Sequence, residues 1–252
     1  MAREATRRLN VRWDSEPVSS DIVESYTTSK SLADRILAAL ILLTLSPLVL
    51  IIMLAVKLTS RGGAIYRQER VGLGGGLFVM YKIRTMVYDC ERSSGICWSS
   101  VGDPRATPLG RLLRRTHLDE LPQLWNIVRG EMSLVGPRPE RPEIVCELEQ
   151  KIPHYRQRLD VLPGLTGLAQ ILLPPDSDVD DVRRKLTYDL YYVYHCNLWL
   201  DLRILACTAC FLGGIPFALT RSLFRVPDQL EVEGAFASMS TELDAHTQVR
   251  TA

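Results

Sequence analysis

The chain has 252 residues, 46% of them hydrophobic, with 30 basic and 29 acidic side chains and a formal net charge of +1. That length allows one large domain or two small ones, and the balanced charge removes any bulk electrostatic case for a nucleic-acid partner. The cysteines at 90, 97, 146, 196, 207 and 210 lack the spacing of a small disulfide framework, and Cys207-x-x-Cys210 sits in an apolar stretch, so buried thiols in a reducing compartment are expected.

Residues 1–30 are polar and mixed in charge, and read as a poorly ordered extension. No secretory signal pattern opens the chain, because the first apolar run starts late and no small-residue cleavage site follows it. That run, Ile36 to Val56, holds 21 residues. At 1.5 Å each they reach about 31 Å, just enough to cross a hydrocarbon core. Two details oppose a plain crossing. Pro47 stands mid-run, where it cannot donate to Leu43, and the Ser46 hydroxyl can serve the carbonyl it frees. Basic residues also flank both ends, Lys30 and Arg35 before, Lys57, Arg61, Arg67 and Arg70 after, so charge gives no direction for crossing. Pattern alone leaves spanning and re-entrant topologies open.

Ala64–Val71 and Leu77–Ile83 read as short strands around the glycine-rich loop Gly72–Gly76. Gly72-x-Gly74 is not a dinucleotide fingerprint, since Leu77 breaks the spacing and a strand follows instead of a helix. Lys82 and Arg84 alternate on the second strand, so both can face one side. Residues 87–102 are polar and read as a loop, after which Asp103–Thr107 leads through Gly110 and Arg111 into a helical segment bearing an acid pair.

That pair, Asp119-Glu120, lies in Arg114–Pro139, RRTHLDELPQLWNIVRGEMSLVGPRP. Adjacent carboxylates on a helix point about 100° apart and do not share a proton, which argues against a protease or glycosidase dyad. Arg111, Arg114, Arg115, Arg129 and Arg138 surround them, so both carboxylates are expected to be ionised, suited to a nucleophile or a Mg²⁺ ligand. The structural alternative makes Asp119 a helix N-cap, with Pro122 in the first turn.

Glu140–Arg158 reads as an exposed helix interrupted at Pro153. Asp189 suits either an extra polar or metal-facing carboxylate or an ion pair with a nearby arginine. His117 and His195 have no partners at ligand spacing. Trp199, Phe211 and Phe217 lie in an apolar segment broken by Gly213-Gly214 and Pro216, too interrupted to span and suited to an interfacial helix. The tail after Val226 is polar and reads as loose.

Several of these strings occur together in one order: QERVG, YKIRTM, DPRAT, LDELPQLWN, GEMSLVGPRP, PGLTGLAQ, YDLYY and NLWLDLRIL. Over about residues 30–212 they resemble the bacterial sugar transferases, the monotopic phosphoglycosyl transferases. Ile83, Thr85 and Asn197 are mild departures. Leu172-Leu173-Pro174 replaces an Asn-Gly-Arg string whose arginine holds phosphate in many members, and Arg183 or Arg184 are the candidates to replace it.

The resemblance implies an α+β fold, mostly helical and monotopic, with a re-entrant membrane helix bent at Ser46-Pro47, a short β-hairpin and interfacial helices. The domains are then an extension at 1–30, a re-entrant helix at 31–58, a catalytic domain at 59–225 and a loose tail at 226–252. It implies transfer of a sugar-1-phosphate from a UDP-sugar to polyprenyl (undecaprenyl) phosphate, with release of UMP, at the cytoplasmic face of a bacterial inner membrane. Asp119 is implied as nucleophile and Glu120 as Mg²⁺ ligand. Lys82, Arg84, Arg105, Arg114 and Arg138 are phosphate-side candidates, with Asp189 behind them. The glycan begun is an exopolysaccharide or a related polymer, and a homo-oligomer stays open. Two other readings remain: a metal-dependent nucleotide-diphosphosugar hydrolase, and a non-catalytic membrane adaptor.

Overall fold

The computed structural model describes residues 21–90, 102–174 and 178–237; the expectations for residues 1–20, most of the 87–102 loop and the tail beyond 237 lie outside them. Helix α1, Asp21–Thr59, is continuous over 39 residues with Pro47 inside it. It starts well before the expected residue 31. No proline or glycine interrupts residues 21–35, and Lys30 and Asp34 find buried partners: Lys30 Nζ lies 2.5 Å from Asp201 and Asp34 accepts from Ser133 Oγ at 2.5 Å. At Pro47 the Ser46 hydroxyl donates to the Leu43 carbonyl at 2.7 Å, satisfying the acceptor that proline leaves without a partner.

Most of the apolar surface of α1 faces outward, with Leu43 74% and Ile51 65% exposed. By length and composition, Ser29–Thr59 is long and apolar enough to cross a membrane. Both ends of the apolar run nevertheless touch the same body. Ala38, Ile41 and Leu42 enter the main core, whereas Ile52 and Val56 pack with Ile83 and Leu113.

The hairpin forms where alternation places it: β1, Ile65–Val71, pairs antiparallel with β2, Leu77–Ile83, in the register Ile65↔Ile83 to Val71↔Leu77. Then come α2, Pro108–Arg115, a 3₁₀ turn at Leu118–Glu120, and α3, Gln123–Val128. Thr107 caps α2, accepting from Gly110 N at 2.9 Å. Buried Asn126 ties α3 to β2, accepting from Tyr81 N at 3.2 Å and donating to Val79 O at 2.7 Å.

A second sheet has two parallel strands, β3, Ser133–Val135, and β4, Gly164–Thr166. Its glycines are there for closeness: a Cβ on Gly164 would lie 2.1 Å from Gly136 N, and one on Gly167 2.2 Å from Gly136 O. Between these strands, α4, Pro142–Lys151, and the 3₁₀ turn Tyr155–Leu159 realise the expected interrupted helix. It is less exposed than expected, because Val145, Leu148, Tyr155 and Leu159 build a second core cluster.

After β4 come α5, Leu168–Leu172, α6, Val179–His195, α7, Leu198–Leu212, and α8, Phe217–Leu223. Asn197 caps α7, accepting from Leu200 N at 3.0 Å, so the departure from serine keeps the capping function. Trp199, Leu212, Leu219 and Leu223 are exposed, as suits an interfacial segment. The tail is less loose than expected: residues 229–237 are helical, and Val226 and Val232 are buried in the main core.

Candidate active site

The acid pair does not sit on a regular helix. His117, at φ +55°, ends the α2 segment, and Asp119 and Glu120 fall in the 3₁₀ turn before α3. Pro122, not Asp119, is the N-cap of α3, and no side chain caps that helix. The capping account of Asp119 is therefore not realised.

The two carboxylates point into different surroundings. Glu120 Oε1 accepts from Lys82 Nζ on β2 at 2.8 Å and from Arg138 Nη2 of the Gly136–Pro139 turn, while Oε2 has a longer 3.4 Å contact with Arg138 Nη1. Burial by itself would raise the Glu120 pKa, but Arg138 and then Lys82 hold it well below the usual carboxylate range. Burial also lowers the Lys82 pKa, against the pull of Glu120.

Asp119 is 7% exposed. Among the described residues it takes no ion pair. Burial, then the neighbouring Glu120 charge, raise its pKa above the ordinary value, with Lys82 and Arg114 opposing. The expectation of two low-pKa carboxylates thus holds for Glu120 and is corrected for Asp119. Guanidiniums nearby in sequence are outweighed by desolvation in space.

Of the phosphate-side candidates, Lys82 and Arg138 meet at Glu120. Arg114 donates through Nε to Thr85 Oγ1 at 2.8 Å, and its charge acts on Asp119. The others go elsewhere. Arg84 is buried and straps the end of α1 to β2, donating to Gly63 O at 2.7 Å and Ser60 Oγ at 3.0 Å. It lies past the last residue of β2, so the shared strand face with Lys82 is not kept. Arg105 forks onto Asp103, with Nη2 2.6 Å from Oδ2, and those hydrogen bonds lower the Asp103 pKa to about 2. Asp189 is ion-paired with buried Arg158 at 2.7 Å, so the ion-pair alternative is the one realised. Arg183 pairs with Asp180 and Arg184 with Gln229, both on exposed surface, and neither meets the acid pair.

Arg158 escaped the sequence reading as part of an exposed stretch. Its signal was the spacing: Arg158 follows Tyr155 by three residues, which eclipse in this 3₁₀ turn, and the aromatic ring marks that side as buried.

No group of three His, Cys, Asp or Glu side chains converges among the described residues, so an all-protein metal cage is not what this site offers. Mg²⁺ commonly takes one or two carboxylates and fills its shell with water and substrate phosphates. The turn fits that demand, because Glu120 Oε2 has only the 3.4 Å contact and retains acceptor capacity beside Asp119.

Comparison with known proteins adds an independent finding. The profile described as "Bacterial sugar transferase" matches residues 25–213. A UDP-glucose:undecaprenyl-phosphate glucose-1-phosphate transferase of Xanthomonas campestris pv. campestris is 41% identical over 186 residues, 73% of this chain and 38% of the relative. A UDP-N-acetylgalactosamine-undecaprenyl-phosphate N-acetylgalactosaminephosphotransferase of Aeromonas hydrophila is 42% identical over 170 residues, 67% of this chain and 40% of the relative. A second glucose-1-phosphate transferase of that description, from Caulobacter vibrioides, is 42% identical over 177 residues, 69% of this chain and 66% of the relative. The chain thus spans about two fifths of the first two relatives and just under two thirds of the third.

Proposed function

The chain belongs to the bacterial sugar transferase family, and on that premise we propose that it transfers a sugar-1-phosphate from a UDP-sugar to polyprenyl phosphate. The acceptor is undecaprenyl phosphate, UMP is the leaving product, and the lipid-linked sugar starts an exopolysaccharide or related glycan. The names carried by the relatives support the donor and acceptor classes. The observation that carries the reading within this chain is the acid-pair turn: Glu120 clamped by Lys82 and Arg138, with buried Asp119 beside it and free of any ion pair among the described residues.

The chemistry follows from that division. A carboxylate oxygen of Asp119 attacks the sugar-bearing phosphorus. One phosphorus–oxygen bond forms, the bond to the bridging oxygen breaks, and UMP leaves with that oxygen. An oxygen of the lipid phosphate then attacks the same phosphorus, releasing Asp119 and completing the transfer. Burial strips water from the Asp119 carboxylate and makes it a stronger nucleophile once ionised, while Lys82 and Arg114 keep the ionised form accessible. Lys82 and Arg138 hold positive charge beside the acid pair, which would favour the approach of a donor diphosphate there. Glu120 would hold a Mg²⁺ ion, and the charge it supplies would neutralise part of that on the diphosphate.

The membrane reading is a re-entrant α1 at the cytoplasmic face of the inner membrane. From Ala38 to Val56 the helix rises about 27 Å, yet both positions pack on the same catalytic body. A straight crossing would carry one of them to the far side. The Ser46–Leu43 bond satisfies the carbonyl freed by Pro47 where lipid offers no donor.

The test is a donor-only incubation. With UDP-sugar and no lipid acceptor, the native chain should release at most one UMP per active site, and the peptide carrying Asp119 should gain the mass of a sugar phosphate. Continuous release without lipid would mark a hydrolase and sink the transfer reading.

A further inference from the structure

Behind the acid-pair turn lies a buried ion pair, Arg158–Asp189. Arg158 is 4% exposed and Asp189 3% exposed. Removing two charges from water costs several kcal/mol, and apolar side chains of similar volume often stabilise as well or better, so such a pair is weak evidence of a stability device. Its position gives it a different use. Arg158 Nε and Nη2 reach Asp189 Oδ2 at 3.0 and 2.7 Å, Nη1 donates to the Tyr155 hydroxyl at 3.2 Å, and Nη2 also donates to the Arg138 carbonyl at 2.9 Å.

We propose that Arg158, held in place by Asp189, is a positioning residue that sets the Arg138 guanidinium against Glu120 by gripping the Arg138 backbone carbonyl. Arg138 stands between Pro137 and Pro139, whose φ angles are fixed by their rings, so its side-chain direction follows the placement of its backbone. That backbone is held carbonyl by carbonyl. Gly164 N donates to Pro137 O, Arg158 to Arg138 O, Arg70 Nη1 to Pro139 O and Val71 N to Glu140 O, each at 2.9 Å. The grips on Pro137 and Glu140 come from backbone, and that on Pro139 from a side chain beyond Arg138. Arg158 acts on the residue whose side chain meets Glu120, and Asp189 and Tyr155 occupy its other nitrogens, leaving it no second position. The path therefore runs from α6 through Arg158 and Arg138 to Glu120, the neighbour of Asp119.

This inference rests on the transferase reading, and its test separates the two. Arg158→Lys keeps the charge but loses the planar fork. The full chain in phospholipid nanodiscs is assayed for single-turnover UMP release with UDP-glucose or UDP-N-acetylgalactosamine, whichever turns over, in native and Arg138→Lys backgrounds. Arg158→Lys should slow release about 10- to 100-fold in the native background and less than about threefold where Arg138 is already changed, since residues acting through one group are non-additive. The drop in melting midpoint should be the same in both backgrounds. Equal slowing in both, or no slowing in the native background, overturns the positioning role. An unchanged rate in Arg138→Lys alone overturns it too, because nothing is left to position. Failure of the transferase reading has a separate mark: the native chain releases no UMP from any of a panel of UDP-sugars, or releases it continuously without lipid, and the positioning role falls with it. If Arg158→Lys does not fold, Asp189→Asn goes through the same two backgrounds with the same expectations.

Discussion

Asp119→Asn should inactivate the protein without weakening it, and the direction follows from the site. Burial and the adjacent Glu120 charge raise the Asp119 pKa in the folded chain above its ordinary value. A carboxylate shifted that way favours folding when protonated. Its contribution is fully present below the unfolded pKa and is lost as pH rises through the folded pKa. At neutral pH the ionised side chain is therefore a cost to the folded state. Asparagine keeps the shape and carries no charge, so the cost disappears. Relief of that cost should raise the melting midpoint, by about 2–4 °C for each kcal/mol regained in a domain of this size. Two assays on one preparation decide it: thermal unfolding in detergent at pH 7, and UMP release with UDP-sugar and polyprenyl phosphate. The expected pair of results is an unchanged or raised midpoint with turnover lower by several orders of magnitude. A midpoint lowered by several degrees would make the Asp119 carboxylate a structural element, and substantial remaining turnover would remove it as nucleophile.

Three further outcomes are expected. Labels at residues 20 and 75 should both report from the cytoplasm, and Pro47→Leu should move some molecules toward a spanning state by giving the Leu43 carbonyl back its backbone donor; opposite-side labelling of the native chain leaves a single-pass protein. Excess chelator should abolish turnover and added Mg²⁺ restore it, because two anionic substrates meet a carboxylate; full turnover in chelator removes the metal. Lys82→Met takes away one of the two cations on Glu120 and the first of the influences that lower the Asp119 pKa. Turnover should fall about 100-fold and its acid limb should move to higher pH, since the active Asp119 is the ionised form; an unmoved or downward limb counts against the assignment.

How far the sequence carried depends on the range of each interaction. Alternation is local, so β1 and β2 were legible to within a residue. The start of α1 was not, because residues 21–35 lack the apolar run that announced the rest. Strands β3 and β4 span three residues each and are too short for any period to register. The acid pair was legible as a motif, yet the direction of the Asp119 pKa shift was not, since the desolvation that raises it comes from parts of the fold the string does not contain. The arginines divide the same way. Arg105 is claimed by Asp103 two residues away, which the string DPR already displayed. Arg158 meets Asp189 across 31 residues and Arg138 across 20, and nothing local marks either contact.

The acid-pair turn is joined to exposed apolar surface on α7 and α8. His117, whose left-handed backbone starts that turn, has its ring 5.8 Å from Phe211 on α7, and Phe211 stacks on Phe217 of α8 at 4.2 Å. Leu212, Ile215 and Leu219 around them are exposed apolar side chains, and α1 presents a larger surface of the same kind. The proposed reaction brings a lipid phosphate from one phase and a nucleotide sugar from the other to a single carboxylate. On the proposed function that carboxylate works at the membrane interface, and aromatic residues that favour such an interface are the ones joined here to the turn that carries it. Depth in the membrane and position of the nucleophile are on this reading set by the same contacts.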